Sequence, residues 1–324
     1  EPLEMILKFK KSGKWQTENI SITMRTPGND EDLIAGFLYN EKIVDNIEQI
    51  KKIEKKGEIV GDYNLQNKIE ATINDIKNID IGKLKRNFLK SNSKVIEIGS
   101  NDGTFLKNFK RGGYTHLGFE PSKNVANISK KMGINVIKDF FNYKNISDLK
   151  NFENQTDLIC AANVICHIPN LNDLIISVDR LLSKKGVFVF EEPYLGSMLK
   201  KVSYDQIYDA HLFIFSLLSV KKIFEKFDFD LIDVQPQIVH GGSMRYVIAR
   251  KNTRPISLRV KKILSKEVSM KLNTIEPYIK FKKDCEFQKE IFKTKVENFK
   301  NSGKRICGYA AAAKSTTVLN YCKI

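Results

Sequence analysis

One stretch of the sequence, residues 94–110, constrains the fold more than any other. Val95, Ile96 and Ile98 form a short apolar run rich in β-branched side chains, which predicts a buried strand. Gly99 ends that run, Gly103 follows, and the apolar residues after Gly103 have helical spacing. Strand, glycine turn and helix form the first half of a βαβ unit, in which glycines let a ligand approach the backbone closely. The spacing is G-x-x-x-G, not the G-x-G-x-x-G of dinucleotide-binding proteins.

Polar side chains follow the next predicted strands. The second strand ends at Glu120, where an acid can accept hydrogen bonds from both ribose hydroxyls of an adenosine. The third ends at Asp139 and Phe140, an edge acceptor and a ring that suit adenine, and the fourth ends at Asn163. An unrelated doubly wound fold with decorated loops is the alternative. The predicted cofactor-binding residues are Glu97, Gly99, Asn101, Gly103, Glu120, Asp139, Phe140 and Asn163.

The run from Val95 to Asn163 resembles the class I S-adenosylmethionine-dependent methyltransferases. Within that class, the segments EIGSNDG, HLGFEPS, AANVICHIPNL and GVFVFEEPYL are similar to the sugar C-methyltransferase family, which methylates keto-sugars attached to nucleoside diphosphates. The resemblance implies an α/β fold, with a Rossmann-like sheet covered by helices on both faces over residues 92–250. It also implies S-adenosyl-L-methionine as the cofactor and a nucleoside-diphosphate sugar as the small-molecule substrate.

The composition narrows the possible partners and the compartment. The formal charge is +16, but the lysines are scattered over every predicted helix, so we expect no nucleic-acid partner. No apolar run approaches the length of a membrane span, so we expect no membrane partner. The five cysteines include no C-x-x-C pair, which predicts neither a metal site nor a disulfide framework and favours a reducing cytoplasm. The oligomeric state stays open.

Residues 1–91 predict a separate, small α+β module. Residues 3–9 and 19–24 alternate apolar and polar side chains, which predicts an antiparallel pair of strands joined across Gly13. Residues 29–32 supply an N-cap and an acidic first turn for a helix that follows. The segments EPLEMIL, ISITMRTPGNDEDLIAGFLYNEKI and RNF resemble the amino-terminal part of the formate dehydrogenase accessory sulfurtransferase family.

That family carries a persulfide on a cysteine-glycine motif shortly after its arginine-asparagine-phenylalanine segment. Here no cysteine occurs before Cys160. Sulfur transfer needs a thiolate, so we expect none. We interpret the module as a fragment joined to the methyltransferase part, or else as a retained binding and packing module, and we favour the fragment.

The candidate catalytic residues lie in residues 203–216. In the resembled family this region carries a tyrosine-x-glutamate-histidine cluster, and Tyr208 and His211 match its first and last members. Ala210 stands in place of the glutamate, which would orient the histidine ring and stabilise its charged form. The neighbouring Asp209 could substitute only in part, since in a helix it would point elsewhere.

Carbon methylation next to a keto group requires a base for the α-proton and a donor for the enolate oxygen. We predict that His211 is the base and that Tyr208 positions it or donates. A satisfied structural histidine beside a core tyrosine is the alternative. We expect His167 to line the cofactor pocket, and we expect His116 and His240 to have no catalytic role.

The remaining residues predict a substrate-binding region. Residues 230–250 fit the closing hairpin of the sheet, in which Arg245 belongs either to the substrate pocket or to the surface. Residues 256–301 predict one long helix or two shorter ones. Residues 305–321 predict a strand, a small-residue turn and a helix, whose start suits an anionic group such as a diphosphate. The predicted substrate-binding residues are Arg245, Lys314, Thr316 and Thr317.

Three domains follow from this reading. They are an accessory-sulfurtransferase-like module at 1–91, a methyltransferase domain at 92–250 and a carboxy-terminal substrate domain at 251–324, which we expect to be cut short because one βα unit cannot bury both its faces. The predicted function is methylation of a keto-sugar nucleotide through a histidine-generated enolate. The alternatives are a non-catalytic nucleotide- or partner-binding fusion, and a formate dehydrogenase accessory factor that lacks its cysteine motif.

Overall fold

The computed structural model describes residues 2–11, 14–24, 29–40, 44, 47–60, 63–75, 89–90, 92–307 and 313–324. The chain folds into two compact units, residues 1–87 and 88–324. No helix in the described part of the chain is long and apolar enough to cross a membrane.

The first unit is a four-stranded sheet with one helix. Its elements are β1 (Pro2–Lys11), β2 (Lys14–Met24), α1 (Asp30–Asn40), β3 (Ile50–Val60) and β4 (Tyr63–Asp75). The strand order is β2-β1-β4-β3, with β1 and β4 parallel and the other pairs antiparallel. The predicted antiparallel pair is confirmed, and its turn at Gly13 lies outside the described residues.

The alternation of buried and less buried side chains along β1 produces the core of this unit. Every second residue from Leu3 to Phe9 is buried, and these side chains pack with Ile34 and Leu38 of α1. A strand presents alternate side chains to opposite faces, so one face of the sheet becomes apolar and one amphipathic helix is enough to cover it.

The second unit is built on a seven-stranded sheet of order β10-β11-β9-β8-β5-β6-β7. Its strands are β5 (Lys94–Ile98), β6 (Thr115–Phe119), β7 (Val136–Ile137), β8 (Thr156–Ala162), β9 (Leu182–Pro193), β10 (Phe229–Gln237) and β11 (Ser243–Arg250). The strands β5 to β9 are parallel, whereas β11 pairs antiparallel with both β9 and β10. A parallel sheet closed by an antiparallel hairpin is the class I methyltransferase fold that the sequence predicts.

The helices of the second unit lie between and after these strands. They are α2 (Leu106–Arg111), α3 (Lys123–Lys131), α4 (Leu171–Leu181), α5 (Leu195–Lys201), α6 (Leu217–Glu225), α7 (Leu258–Ser269), α8 (Glu276–Asn301) and α9 (Ala313–Cys322). The break between α7 and α8 comes where Pro277 follows Glu276, since proline is favoured in the first helical turn.

Aromatic rings fix the hairpin side of the sheet. The ring of Phe190 on β9 stacks on Tyr246 of β11 at a centroid distance of 4.8 Å and on Phe224 of α6 at 5.9 Å. Both Phe190 and Tyr246 are fully buried. Strand β9 starts at Leu182, which already pairs with Thr156 of β8.

The sequence predicts a strand that begins at residue 305, and the structure has no strand in the described part of this stretch. Residues 304–307 are exposed and pair with no strand of the described chain, and 308–312 lie outside the described residues. A strand needs a neighbour for its backbone groups. The regular elements described after β11 are helices, and the division at residue 250 into a third domain stays a prediction.

The cysteines are distributed unevenly between core and surface. Cys160, Cys166, Cys285 and Cys322 are buried and Cys307 is exposed. Burial raises the pKa of the Cys160 and Cys166 thiols well above the ordinary value, and raises the pKa of Cys285 to about 11. These three thiols are therefore protonated at neutral pH.

A buried carboxylate on α7 ties the last helices to the sheet. Glu267 is completely buried and accepts hydrogen bonds from the Tyr194 hydroxyl at 2.8 Å and from the Leu217 and Leu218 amides at 2.8 and 2.9 Å. The two amides begin α6, where unpaired N–H groups and the helix dipole favour a negative charge. Val260, one turn into α7, joins the main core.

Replacing Glu267 with alanine should destabilise the second unit. The change leaves a buried hydroxyl and two helix-end amides without their acceptor, so we expect the free energy of unfolding to fall by about 2–4 kcal/mol. The control is Glu225→Ala, which removes an exposed ion pair with Lys221 and should cost less than about 1 kcal/mol.

The single tryptophan makes the measurement selective. Trp15 lies on β2, so its fluorescence reports the first unit, whereas far-UV circular dichroism follows the helices of the second. In urea, the circular dichroism midpoint should fall in the Glu267 variant while the fluorescence midpoint stays. Equal circular dichroism midpoints for the two variants would contradict the prediction.

Candidate active site

A cavity of about 590 Å³ opens at the carboxyl ends of the parallel strands. Gly99, Glu120 and Phe140 of the predicted cofactor residues line it, together with Val164 and His167 from the segment after β8. Ligands of open α/β sheets bind outside the carboxyl ends of the strands, so this cavity lies where the fold predicts a site.

Gly99 is a required glycine. Its φ is +68°, and a Cβ on it would lie 2.4 Å from Cγ2 of Val164. Only glycine combines the left-handed conformation with such a close approach. The turn after β5 and the segment after β8 therefore meet at the wall of the cavity.

Glu120 is held in place by backbone amides. Its Oε2 accepts from the Asn101 amide at 3.0 Å and its Oε1 from the Ser122 amide at 2.8 Å. Asn101 adopts a left-handed conformation, with φ of 49°, which presents this amide to Glu120. Asn101 thus serves the site through its backbone.

Phe140 has an exposed ring, and Glu97 has a carboxylate oxygen without a hydrogen-bond partner among the described residues. The Phe140 ring lines the cavity and is 66% exposed, which leaves a face free to stack on a planar ligand. Two residues before Gly99, the buried Glu97 has one oxygen, Oε2, with no hydrogen-bond partner in the described chain. Burial first, and then the charges of Asp102 and Glu120, raise the pKa of Glu97 well above its usual range.

Five predicted cofactor residues lie outside the lining: Glu97 and Asn101, described above, and Asp139, Gly103 and Asn163. The exposed Asp139 uses its Oδ1 to accept from the Phe140 amide at 2.7 Å, so it shapes the turn that carries the ring. Gly103 packs against α3, where a Cβ would lie 2.5 Å from the Ser129 hydroxyl. Asn163 contacts His240 instead, at 3.3 Å between Nδ2 and Nε2.

Beside the cavity, Tyr208 and His211 form a hydrogen-bonded pair. The Tyr208 hydroxyl lies 2.7 Å from His211 Nε2, and His211 Nδ1 lies 2.9 Å from the main-chain oxygen of Gln206. A carbonyl can only accept, so Nδ1 carries the proton and Nε2 accepts from Tyr208. The segment is irregular after the 3₁₀ turn Tyr204–Gln206, and this bend allows the ring of residue 211 to reach back to residue 206.

His167 joins the two parts of the site. Its Nδ1 donates to the main-chain oxygen of Ala210, and its ring centroid lies 5.2 Å from that of His211. Since His167 also lines the cavity, the cofactor side and the Tyr208–His211 pair share a wall. The prediction of a pocket-lining role for His167 agrees with this placement.

The charges around His211 keep its ring neutral. Burial lowers the pKa of His211, the hydrogen bond to Gln206 opposes this effect, and electrostatic interactions with His167, Lys314 and His240 lower the pKa further. Burial raises the pKa of Tyr208, so its hydroxyl keeps its proton. At neutral pH, the pair thus consists of an uncharged phenol and an uncharged imidazole with a fixed tautomer.

A buried carboxylate supports the segment that carries His167. Glu192, at the end of β9, is completely buried, and its Oε1 accepts from the Val164 amide at 2.9 Å and the Ile165 amide at 2.6 Å. Burial raises the pKa of Glu192. No sequence pattern indicated this role.

The site also contains a group of possible metal ligands. Ligand atoms of Cys166, His167 and His211 lie within 4.8 Å of one another. Because burial and Glu192 raise the pKa of Cys166, its thiol would have to lose a proton to bind an ion. The expectation that the site uses no metal stays a prediction.

The predicted substrate residues do not converge on one point. Arg245 donates to Glu191 at 2.8 and 3.1 Å, across the β9–β11 pair. Lys314 lines a second cavity, of about 280 Å³, with Tyr204 and Asp205. The Thr317 hydroxyl donates to the Ala313 carbonyl within α9, and Thr316 lies on the same first turns.

Family models match three stretches of the chain. Residues 77–234 match a methyltransferase domain, and residues 238–324 match a C-methyltransferase C-terminal domain. Residues 12–103 match the FdhD/NarQ family. Two of these matches overlap at residues 77–103.

Curated relatives cover the same two parts. The C-methyltransferase NovU of Streptomyces niveus is 29% identical over 230 residues, which are 70% of this chain and 54% of that protein. The sulfur carrier protein FdhD of Sulfurisphaera tokodaii is 34% identical over 102 residues, 29% of this chain and 38% of that protein. The chain therefore spans about half the length of the first relative and less of the second.

Solved structures overlap the second unit only in part. A SAM-dependent methyltransferase from Archaeoglobus fulgidus aligns with 52% of this chain and 92% of its own, with a TM-score of 0.42 and 18% identity. One from Thermotoga maritima aligns with 50% and 84%, with a TM-score of 0.38 and 20% identity.

Strand order and family matches together define a class I S-adenosylmethionine-dependent methyltransferase domain. Within that class, the segment after the sheet is of the C-methyltransferase C-terminal type, and the first unit is FdhD-like. Both resemblances drawn from the sequence are thus confirmed.

The described residues fit S-adenosylmethionine. The unpartnered, buried oxygen of Glu97 can accept from a donor group, the Glu120 carboxylate lines the cavity, and the exposed Phe140 ring offers a stacking surface. Gly99 has no side chain that would collide with Val164 at the turn after β5.

Gly99→Ala should weaken cofactor binding selectively. The matched control is Gly113→Ala, because Gly113 has a similar φ of +73° but no atom within 4 Å of a Cβ. Both variants carry the backbone strain, and only the first meets Val164. We expect the affinity for S-adenosylhomocysteine, measured by calorimetry, to fall at least about tenfold (1.4 kcal/mol) in Gly99→Ala alone. Equal affinities for the two variants would contradict this role of Gly99.

Proposed function

We propose that this chain is an S-adenosylmethionine-dependent C-methyltransferase that acts on a nucleoside-diphosphate keto-sugar. The observation that carries the proposal is the Tyr208–His211 pair, which lies beside the cofactor cavity and has its acceptor nitrogen set by the Gln206 carbonyl. The match of residues 238–324 to a C-methyltransferase C-terminal domain supports carbon as the methylated atom.

The cofactor residues have distinct roles in this proposal. Glu120 accepts from the ribose hydroxyls, Phe140 stacks on the adenine, and Glu97 accepts from the amino group. Asn101, Gly103, Asp139 and Asn163 shape the loops around them. When bound, S-adenosylmethionine supplies an electrophilic methyl group.

The pair removes the proton next to the substrate carbonyl. Tyr208 already donates into Nε2 of His211, so the phenolic oxygen receives the proton from carbon as its own proton passes to Nε2. The electron pair of the C–H bond becomes the carbon–carbon π bond, and the carbonyl oxygen takes the negative charge. His211 ends with the proton, which matches the role of general base.

The amino-terminal end of α9 supplies the site for the diphosphate. Lys314 is a cation on the first turn of this ten-residue helix, and Thr316 and Thr317 follow it. Anions are favoured at a helix amino terminus. Arg245 shapes the substrate side through its ion pair with Glu191.

A non-catalytic binding protein was the alternative suggested by Ala210. The carboxylate missing there would have oriented His211, but the Gln206 carbonyl accepts from Nδ1 and gives the ring a defined tautomer. The hydrogen-bond geometry of a base is therefore present without the glutamate, which favours the enzyme.

Tyr208→Phe and His211→Asn should abolish transfer while leaving the cofactor bound. General acid–base catalysis contributes about 10²–10⁴-fold, and we expect losses in that range. The measurement is methyl transfer to a panel of nucleoside-diphosphate keto-sugars by mass spectrometry, with Tyr39→Phe, in the first unit, as the control. Full transfer by Tyr208→Phe would contradict the relay, and no transfer by the parent chain to any member would contradict the proposed function.

The lowered pKa of His211 predicts the shape of the pH profile. A base whose pKa lies below the ordinary value of about 6.5 stays neutral to lower pH, so the acid limb of kcat/KM should have its midpoint below about 6.5. Lys314→Met removes one of the charges that depress this pKa, so the limb should move to higher pH. The control Lys293→Met, on α8, should leave the acid limb at the pH of the parent. An unchanged limb in Lys314→Met would contradict the electrostatic link.

A further inference from the structure

His240 is held in a strained conformation at the edge of the site. Its φ is 52° and its ψ is 32°, and the two glycines that follow it also have positive φ, 77° and 124°. A left-handed conformation is costly for a residue with a Cβ, and such strain clusters at functional sites. The contact of His240 is Asn163, which is itself left-handed with φ of 55°.

The contact with Asn163 fixes the tautomer of the His240 ring. The Asn163 amide nitrogen lies 3.3 Å from Nε2, and an amide N–H donates, so Nε2 is the acceptor. The proton of the neutral ring then lies on Nδ1. No described group takes that N–H, and the residue is exposed, so a ligand can reach it.

Gln206 couples His240 to the base. The buried Gln206 donates through Nε2 to the main-chain oxygen of His240 at 2.9 Å, and its own main-chain oxygen accepts from His211 at 2.9 Å. One residue therefore sets the backbone that carries one ring and the orientation of the other. The two rings are also electrostatically coupled, since a positive charge on His240 would lower the pKa of His211.

The charged groups near His240 favour its neutral form. The surrounding protein and the Lys314 ammonium lower the pKa of His240, and the Glu191 carboxylate opposes them. Glu191 is itself engaged by Arg245. A neutral imidazole has one N–H group, and this group can donate a hydrogen bond to an oxygen that gains negative charge.

The proposed reaction leaves one role unfilled by the Tyr208–His211 pair. The Tyr208 hydrogen points into Nε2 of His211, so it is committed to the proton relay and cannot also bind the oxygen that gains charge. An enolate needs a donor there. His240 Nδ1–H is a ring donor that no described residue takes, and Gln206 links the backbone of His240 to the ring of His211.

We propose that His240 is a further catalytic residue, whose Nδ1–H donates a hydrogen bond to the substrate carbonyl oxygen as it becomes the enolate oxygen. This rests on the proposed function. His240 keeps its proton throughout, while the proton from carbon goes to Tyr208 and the hydroxyl proton to His211. Asn163 and Gln206 are positioning residues for the ring. The expectation that His240 has no catalytic role is thereby replaced.

Exchange of the α-proton tests the proposal without methyl transfer. The keto-sugar nucleotide that the parent methylates is incubated with the full chain and S-adenosylhomocysteine in D₂O, and deuterium uptake is followed by NMR. Removing one oxyanion donor costs about 10²–10³-fold, so His240→Ala should slow exchange by that factor. Its affinity for S-adenosylhomocysteine should stay within twofold, and Ile238→Ala, an exposed neighbour, should exchange like the parent.

A second variant separates loss of the donor from backbone strain. Asparagine tolerates the left-handed conformation, and its amide can donate, so His240→Asn should recover part of the rate lost in His240→Ala. Exchange by His240→Ala within threefold of the parent would overturn the proposal alone. A parent that neither methylates nor exchanges any keto-sugar would overturn the proposed function and this inference with it.

The tautomer offers a readout that needs no substrate. The chain has only four histidines, so ¹⁵N spectra of the rings can be assigned by single replacement, with His116 as an internal reference. At pH 7 the ring of His240 should be neutral and protonated on Nδ1. A charged ring, or a proton on Nε2, would overturn the proposal.

Discussion

The site depends on a buried carboxylate that carries no chemistry of its own. Glu192 ends β9 inside the core and accepts from the amides of Val164 and Ile165. That pair of bonds sets the segment after β8, whose Val164 contacts Gly99 and whose His167 contacts the His211 ring. One buried carboxylate thus positions both the cavity wall and the proposed proton-transfer groups, and burial makes its hydrogen bonds costly to break.

Residue types at strand ends were enough to locate the cavity, because the carboxyl ends of parallel strands lie at one edge of the sheet. Gly99, Glu120 and Phe140 meet there as expected. Asn163 lies at the same edge but turns to His240, since its left-handed backbone redirects the side chain. Strand order predicts which edge a residue occupies, and the local φ decides which neighbour it meets.

Main-chain groups explain most of what sequence could not foresee. The resemblance places a carboxylate that orients His211 at position 210, which is alanine here, with Asp209 as a partial substitute. In the structure, the main-chain carbonyl of Gln206 accepts the hydrogen bond from His211 instead. Every residue has a main-chain carbonyl, so the sequence does not indicate which carbonyl accepts from His211. The strand expected to begin at residue 305 is not present at 305–307, because these exposed residues pair with no strand of the described chain.

The distribution of thiols gives the chain a built-in attachment point. Three buried cysteines have raised pKa values and Cys322 is also buried, so Cys307 is the exposed thiol among the five. It lies six residues before α9, which carries Lys314. A maleimide dye would therefore label one place, near the helix proposed to bind the diphosphate, and its emission would follow ligand binding without any engineered cysteine.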